Sequence, residues 1–154
     1  MGLFDKLKGA VNAITGGSAA VTLNLHSTTI NKGSEFYFTV DVKVKDQSIT
    51  VNSIYFRVWA TETVKVIHNE VVNGNSQSKE KVETRRIHEF VENISGSQVL
   101  DANQTYSFNG QFTIPAGCES TFNVHPRKVS WEADAGLDMK GNDPDSKNIE
   151  IIVQ

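Results

Sequence analysis

The sequence predicts an all-β domain: an antiparallel β-sandwich of about nine strands, preceded by a short N-terminal amphipathic helix. Val and Ile together number 28 against 6 Leu, with a further 12 Thr, and branching at Cβ favours strands over helices. From residue 20 onward apolar and polar residues alternate, which is the period of a half-buried strand. No helical segment separates these stretches, so neighbouring strands are expected to pair antiparallel.

Length and composition limit the class of protein further. The 154 residues are the size of one domain. The net charge of -3 gives no electrostatic drive toward nucleic acid. A single cysteine excludes an internal disulfide and a cysteine-built zinc site. No apolar run approaches the roughly 18 residues of a membrane-spanning helix.

Residues 1–17 have a different period from the rest of the chain. Their large apolar residues fall within an arc of roughly 120° when the chain is wound as a helix. Polar residues occupy the opposite side, and Gly16-Gly17 is a plausible end. We therefore predict an amphipathic helix and glycine joint over 1–17, followed by the sandwich domain over 18–154. The apolar arc comprises Leu3, Phe4, Leu7, Val11 and Ile14.

Three roles remain open for this helix, which would be only marginally stable alone in water. It can dock on its own domain, bind a partner protein or a second copy, or lie on a membrane surface. In the last two cases Leu3, Phe4, Leu7, Val11 and Ile14 are the partner- or membrane-binding residues.

The predicted strands follow the alternating segments in order. A long hairpin in the middle of the chain has a polar, glycine-bearing loop over 73–78. The segments are 20–25, 36–44, 49–60, 64–72, 81–92, 106–114, 121–124, 129–137 and 149–153. The side chains expected in the core are those of Phe38, Val40, Phe56, Phe108, Phe112 and Trp131.

Residues that often carry chemistry form no recognisable constellation. His26, His68, His88 and His125 have no metal-ligand spacing, so we expect neither metal nor cofactor. Cys118 is expected to be an exposed thiol without a function. Asp138, Asn142, Asp143 and Asp145 suit a turn better than a calcium loop, although ion binding there stays open. Basic residues in the hairpin alternate with glutamates and indicate a solvated face: Lys79, Lys81, Arg85 and Arg86.

Four segments together resemble a known family. Residues 51–58 resemble an early strand of arrestin-type domains, and 100–115 resemble their leucine, turn, F-x-F-x-I-P segment. Residues 129–138 and 149–151 resemble the next two strands. Among relatives, the sequence is most similar to the bacterial sporulation-control proteins. Those proteins carry two such sandwiches in tandem, whereas the pattern occurs once here. The resemblance implies an immunoglobulin-like, arrestin-like β-sandwich that acts as an adaptor and has no enzyme activity.

These observations predict a non-catalytic protein-interaction domain of adaptor, scaffold or regulatory type, located in the cytoplasm. It is expected to bind partners through the N-terminal helix and through exposed sheet edges. The alternative is a peripheral membrane protein anchored by that helix. The sequence leaves the partner, the pathway and the oligomeric state open.

Overall fold

The computed structural model describes residues 12–154 except Asn142, and the side chains of this range from residue 17 onward. Twelve strands and no helix occur in this part of the chain. In order they are β1 Asn12–Gly16, β2 Ala19–Leu25, β3 Thr29–Ile30, β4 Glu35–Val44, β5 Ile49–Val51, β6 Ser53–Val72, β7 Asn75–Ser95, β8 Gln98–Leu100, β9 Thr105–Thr113, β10 Phe122–Val124, β11 Arg127–Asp138 and β12 Ile149–Val153.

The strands form two main sheets and a small pair. The first sheet has the order β1-β2-β4-β9, and the second has the order β3-β12-β11-β6-β7, with β10 paired to β11. β5 and β8 make the separate pair. All pairings are antiparallel except that of β3 with β12. The predicted all-β, antiparallel class is confirmed.

Aromatic rings join the two sheets in the core. Phe38 of β4 stacks on Phe56 of β6, with ring centroids 4.1 Å apart. Of the predicted core residues, Phe38, Val40, Phe56 and Trp131 are fully buried, while the phenylalanines of β9 are half-buried and pack against the core. β4 shows why the pattern works: every second residue is buried along its whole length.

A glycine on β9 makes room for the stacked rings. Gly110 is paired with Phe38 across the β4–β9 ladder. A Cβ at residue 110 would lie 2.3 Å from Cζ of Phe38. The phenyl ring therefore lies directly over the glycine backbone, and no larger residue fits there without a shift.

The predicted N-terminal helix is wrong over residues 12–14, which are in a strand. β1 pairs antiparallel with β2, and Ile14 is the register partner of Val21. Of the two glycines predicted to end a helix, Gly16 is the last residue of β1, and Gly17 lies in the hairpin turn to β2 with a φ of 55°. Once that turn forms, pairing with β2 competes with a weakly stable helix. Leu3, Phe4, Leu7 and Val11 lie outside the described residues.

The predicted central hairpin exists, but its strands are longer and its loop is shorter. β6 and β7 have 20 and 21 residues and are joined by the two-residue turn Asn73-Gly74. Both turn residues have positive φ, 52° and 81°, and Asn-Gly is the favoured sequence for such a turn. β11 pairs with β6 only as far as Val64. The hairpin beyond that point, residues 65–82, is called the hairpin arm below.

Candidate interaction surface

The hairpin arm extends past the sheet as a two-stranded ribbon. Eight residues on its β6 side, at about 3.3 Å each, give a length of roughly 26 Å. Nearly all its side chains are exposed on both faces. Ile67 and Val71 are 74% and 75% exposed, and Val82 is 55% exposed. By strand alternation and register these three share one face, so the arm presents apolar side chains that its own domain leaves largely uncovered.

Polar pairs across the ribbon support its shape. Lys79 pairs with Glu70 at 2.9 Å and Lys65 with Glu80 at 3.0 Å. The Ser78 hydroxyl donates to Oδ1 of Asn69 at 2.7 Å. Exposed ion pairs contribute only about 0–1 kcal/mol each, and a lone hairpin is marginally stable. The arm therefore depends on its attachment to the sheet.

A buried carboxylate bound by two arginines lies where the arm joins the sheet. Glu62 on β6 is only 4% exposed. It accepts a hydrogen bond from Nε of Arg127 on β11 and another, 2.6 Å long, from Nε of Arg85 on β7. The guanidinium groups of Arg127 and then Arg85 lower the pKa of Glu62. These two ion pairs link β6, the central strand at the base of the arm, to β11 on one side and to β7 on the other.

A second ion pair lies on the outer face of the same sheet. Arg57 donates two hydrogen bonds to Asp134, one of them 3.0 Å long. Burial raises the pKa of Asp134, although Arg57 acts in the opposite direction. The guanidinium carbons of Arg57 and Arg86 lie 5.1 and 4.8 Å from the ring centroid of Trp59, which is 3% exposed. These contacts cover the indole and join β11, β6 and β7.

His88 and the loop before β10 form a third polar group. His88 lies 5.7 Å from the Trp131 ring in a stacked arrangement, and its Nε2 contacts the carboxylate of Glu119. The hydrogen bond with His88 lowers the pKa of Glu119. Nε1 of Trp131 donates to the Glu119 carbonyl at 3.0 Å. This histidine therefore packs against a core side chain and pairs with a carboxylate.

The prediction of an exposed Cys118 is wrong, because this cysteine is only 7% exposed. The loop folds inward, and Nζ of Lys32 donates to the Cys118 carbonyl at 2.9 Å. Burial, with a further effect of Glu119, raises the pKa of the thiol. A raised pKa disfavours the thiolate, the form in which cysteine acts as a nucleophile.

The other chemistry-bearing residues stay apart or bond to their own backbone. His26, His68 and His125 lie on different elements, and the described residues include no group of three that suits a metal ion. In the acidic turn, Asp143 accepts a 3.0 Å hydrogen bond from the Met139 amide. Such bonds are typical of aspartates in turns.

The described structure does not test the predicted binding residues as a set. Leu3, Phe4, Leu7 and Val11 lie outside it, and Ile14 belongs to β1. The sequence prediction named exposed sheet edges but did not single out the hairpin arm. Its signal was present: the arm carries apolar residues among charged ones but no aromatic residue that would fill a core.

The fold defines an arrestin-like β-sandwich. The crystal structure of Spo0M, a sporulation control protein from Bacillus subtilis, has this fold and is similar to the chain with a TM-score of 0.62 and 22% sequence identity. The match covers 90% of this chain and 50% of that one, so the chain spans about half the length of Spo0M. The predicted resemblance is thus confirmed for the fold.

Comparisons of sequence add no further relative. No protein-family model matches the chain, and neither does the sequence of any curated protein. Within its described part, the chain also forms no helix long and apolar enough to cross a membrane.

Proposed function

We propose that this chain is a non-catalytic protein-interaction domain with a regulatory role, and that it binds partner proteins through the hairpin arm and an open sheet edge. The observation that carries the proposal is the exposure of three apolar side chains on one face of the arm. Ile67, Val71 and Val82 lie there in water, on an element tied to the sheet through Glu62. Burying each such side chain contributes about 1.5–3 kcal/mol, before the costs of association.

The first sheet offers a second acceptor for an extended segment. β9 ends that sheet, and its nine residues contain no proline. An added strand can pair with such an edge through main-chain hydrogen bonds. β7, which ends the second sheet, has register shifts opposite Ile54/Tyr55 and Ala60/Thr61. Bulges of this kind hinder regular pairing, so β9 is the better acceptor.

The polar groups described above support a non-catalytic role. The buried carboxylates at Glu62 and Asp134 are bound by arginines that fasten strands to one another. The Cys118 thiol has a raised pKa. The fold shared with a sporulation control protein supports a regulatory role. The cytoplasmic location remains a prediction, and membrane anchoring depends on residues 1–11, outside the described part.

Photo-crosslinking in cells of the native host tests the proposal. A benzophenone amino acid replaces Val82 on the arm, and a matched control replaces Val99, which is 60% exposed but lies on β8. We expect adducts of defined mass with other proteins from position 82 and not from position 99. The added substitution Ile67→Asp should remove them. Equal adducts from both positions, or none from position 82, would contradict binding through the arm.

A further inference from the structure

β6 has a free edge between the end of its pairing with β11 and the tip of the arm. The last contact on that side is the amide of Lys65, which donates to the Pro126 carbonyl at 2.9 Å. Within the described part of the chain, residues 66–72 have a strand partner only in β7. This edge is seven residues long and ends at the Asn73-Gly74 turn.

The direction of the Lys65 N–H shows which backbone groups point outward from this edge. Its N–H is directed to the β11 side, away from β7. The pairing with β7 has no register shift between Lys65 and Val72. Because N–H and C=O groups alternate in direction along a regular strand, those of Ile67, Asn69 and Val71 also point away from β7.

The residues of this edge are chemically symmetric about Asn69. If a second copy of the edge is laid antiparallel with the twofold axis at Asn69, Val66 faces Val72 and Ile67 faces Val71. His68 then faces Glu70. Apolar residues thus face apolar ones and a histidine faces a carboxylate, which are favourable cross-strand pairs.

Neighbouring registers lose this match. With the axis at His68, Val66 faces Glu70 and Lys65 faces Val71. With the axis at Glu70, His68 faces Val72 and Ile67 faces the turn residue Asn73. Outward-pointing backbone groups face one another whenever the axis lies on one of these residues, so the side-chain match decides between the registers.

We propose that the hairpin arm binds the arm of a second copy through residues 66–72, with the twofold axis at Asn69. The two arms then form a four-stranded ribbon in the order β7-β6-β6-β7. Each copy supplies three outward N–H groups and three outward C=O groups, which makes six hydrogen bonds across the axis. Self-association through this edge goes beyond the proposed binding of other proteins and does not depend on it.

The proposed contact is small. Seven residues a side is well below the 20–30 of a standard interface. We therefore expect a weak, reversible dimer whose fraction rises with protein concentration.

Proline scanning tests this pairing by sedimentation equilibrium. Asn69→Pro removes an N–H that points to the free edge and not to β7, so the hairpin itself keeps its hydrogen bonds. Ser78→Pro is the matched control, because Ser78 is the register partner of Asn69 and its N–H points to the opposite edge of the arm. We expect the wild type and Ser78→Pro to dimerise and Asn69→Pro to remain monomeric. A monomeric wild type at millimolar concentration, or a dimer that Asn69→Pro leaves unchanged, would overturn the proposal.

Disulfide crosslinking tests the same pairing without introducing proline into the arm. Hydrogen-bonded partners in an antiparallel pair have Cα atoms about 5.5 Å apart, within the range that a disulfide spans. In a Cys118→Ser background, Asn69→Cys should form a covalent dimer of twice 17.0 kDa on mild oxidation. Ser78→Cys in the same background should stay largely monomeric. Equal crosslinking at the two positions, or none at residue 69, would contradict the proposed axis.

Discussion

Arg127 and Glu62 are 65 residues apart in the sequence and form an ion pair where the hairpin arm leaves the sheet. Glu62 belongs to β6 and Arg127 is the first residue of β11. Together with Arg85 of β7, they connect the neighbouring strands β11, β6 and β7 at the base of the arm. The orientation of the arm therefore depends on charged groups at a position where the apolar core has ended.

The substitution Glu62→Gln should reduce stability in a pH-dependent way. The pKa of Glu62 is lowered from 4.5, mainly by Arg127 and then by Arg85. Such a carboxylate stabilises the fold above its unfolded pKa, and this contribution is lost as pH falls through the lower folded pKa. Urea unfolding should show the variant less stable than the wild type at pH 7, with the difference shrinking below about pH 4.5. A difference of the same size at pH 7 and pH 3 would contradict the ion-pair account.

The substitution Gly110→Ala should destabilise the core. The added Cβ would lie 2.3 Å from the Phe38 ring, and overpacking of this kind costs about 1–3 kcal/mol. Gly96→Ala is the matched control, because a Cβ there meets nothing within 4 Å. Denaturant unfolding should separate the two variants clearly. If both were equally stable, Phe38 would not lie over residue 110.

The thiol of Cys118 should react slowly in the native protein. It is buried, and its raised pKa lowers the thiolate fraction at neutral pH. A colorimetric thiol reagent at pH 8 should label the native chain far more slowly than the urea-unfolded chain. Labelling at the same rate in both states would contradict the burial of this loop.

Local alternation predicted most of the sandwich. β4 and β11 were recognised because every second residue is apolar, and Phe38, Phe56 and Trp131 are buried as expected. The N-terminal segment is predicted wrongly over residues 12–14 because its apolar spacing fits a helix, while these residues pair with β2. A helical period alone cannot show that a turn downstream provides a strand partner.

The candidate surface was harder to predict because it depends on contacts between distant residues. The sequence does not show that Arg127 meets Glu62, or that the loop at Cys118 folds inward. Both follow from the packing of the complete sheet. The hairpin itself was predicted, but the exposure of its arm follows from β11 ending its pairing at Val64.

Removal of the arm tests the central claim, that this element serves association and not folding. Residues 65–82 are deleted, and Val64 is joined to its register partner Glu83 through Asn-Gly. Sedimentation equilibrium and thermal unfolding are then compared with those of the wild type. We expect a folded, monomeric protein that melts within a few degrees of the wild type. A variant that fails to fold, or that associates as the wild type does, would contradict the account.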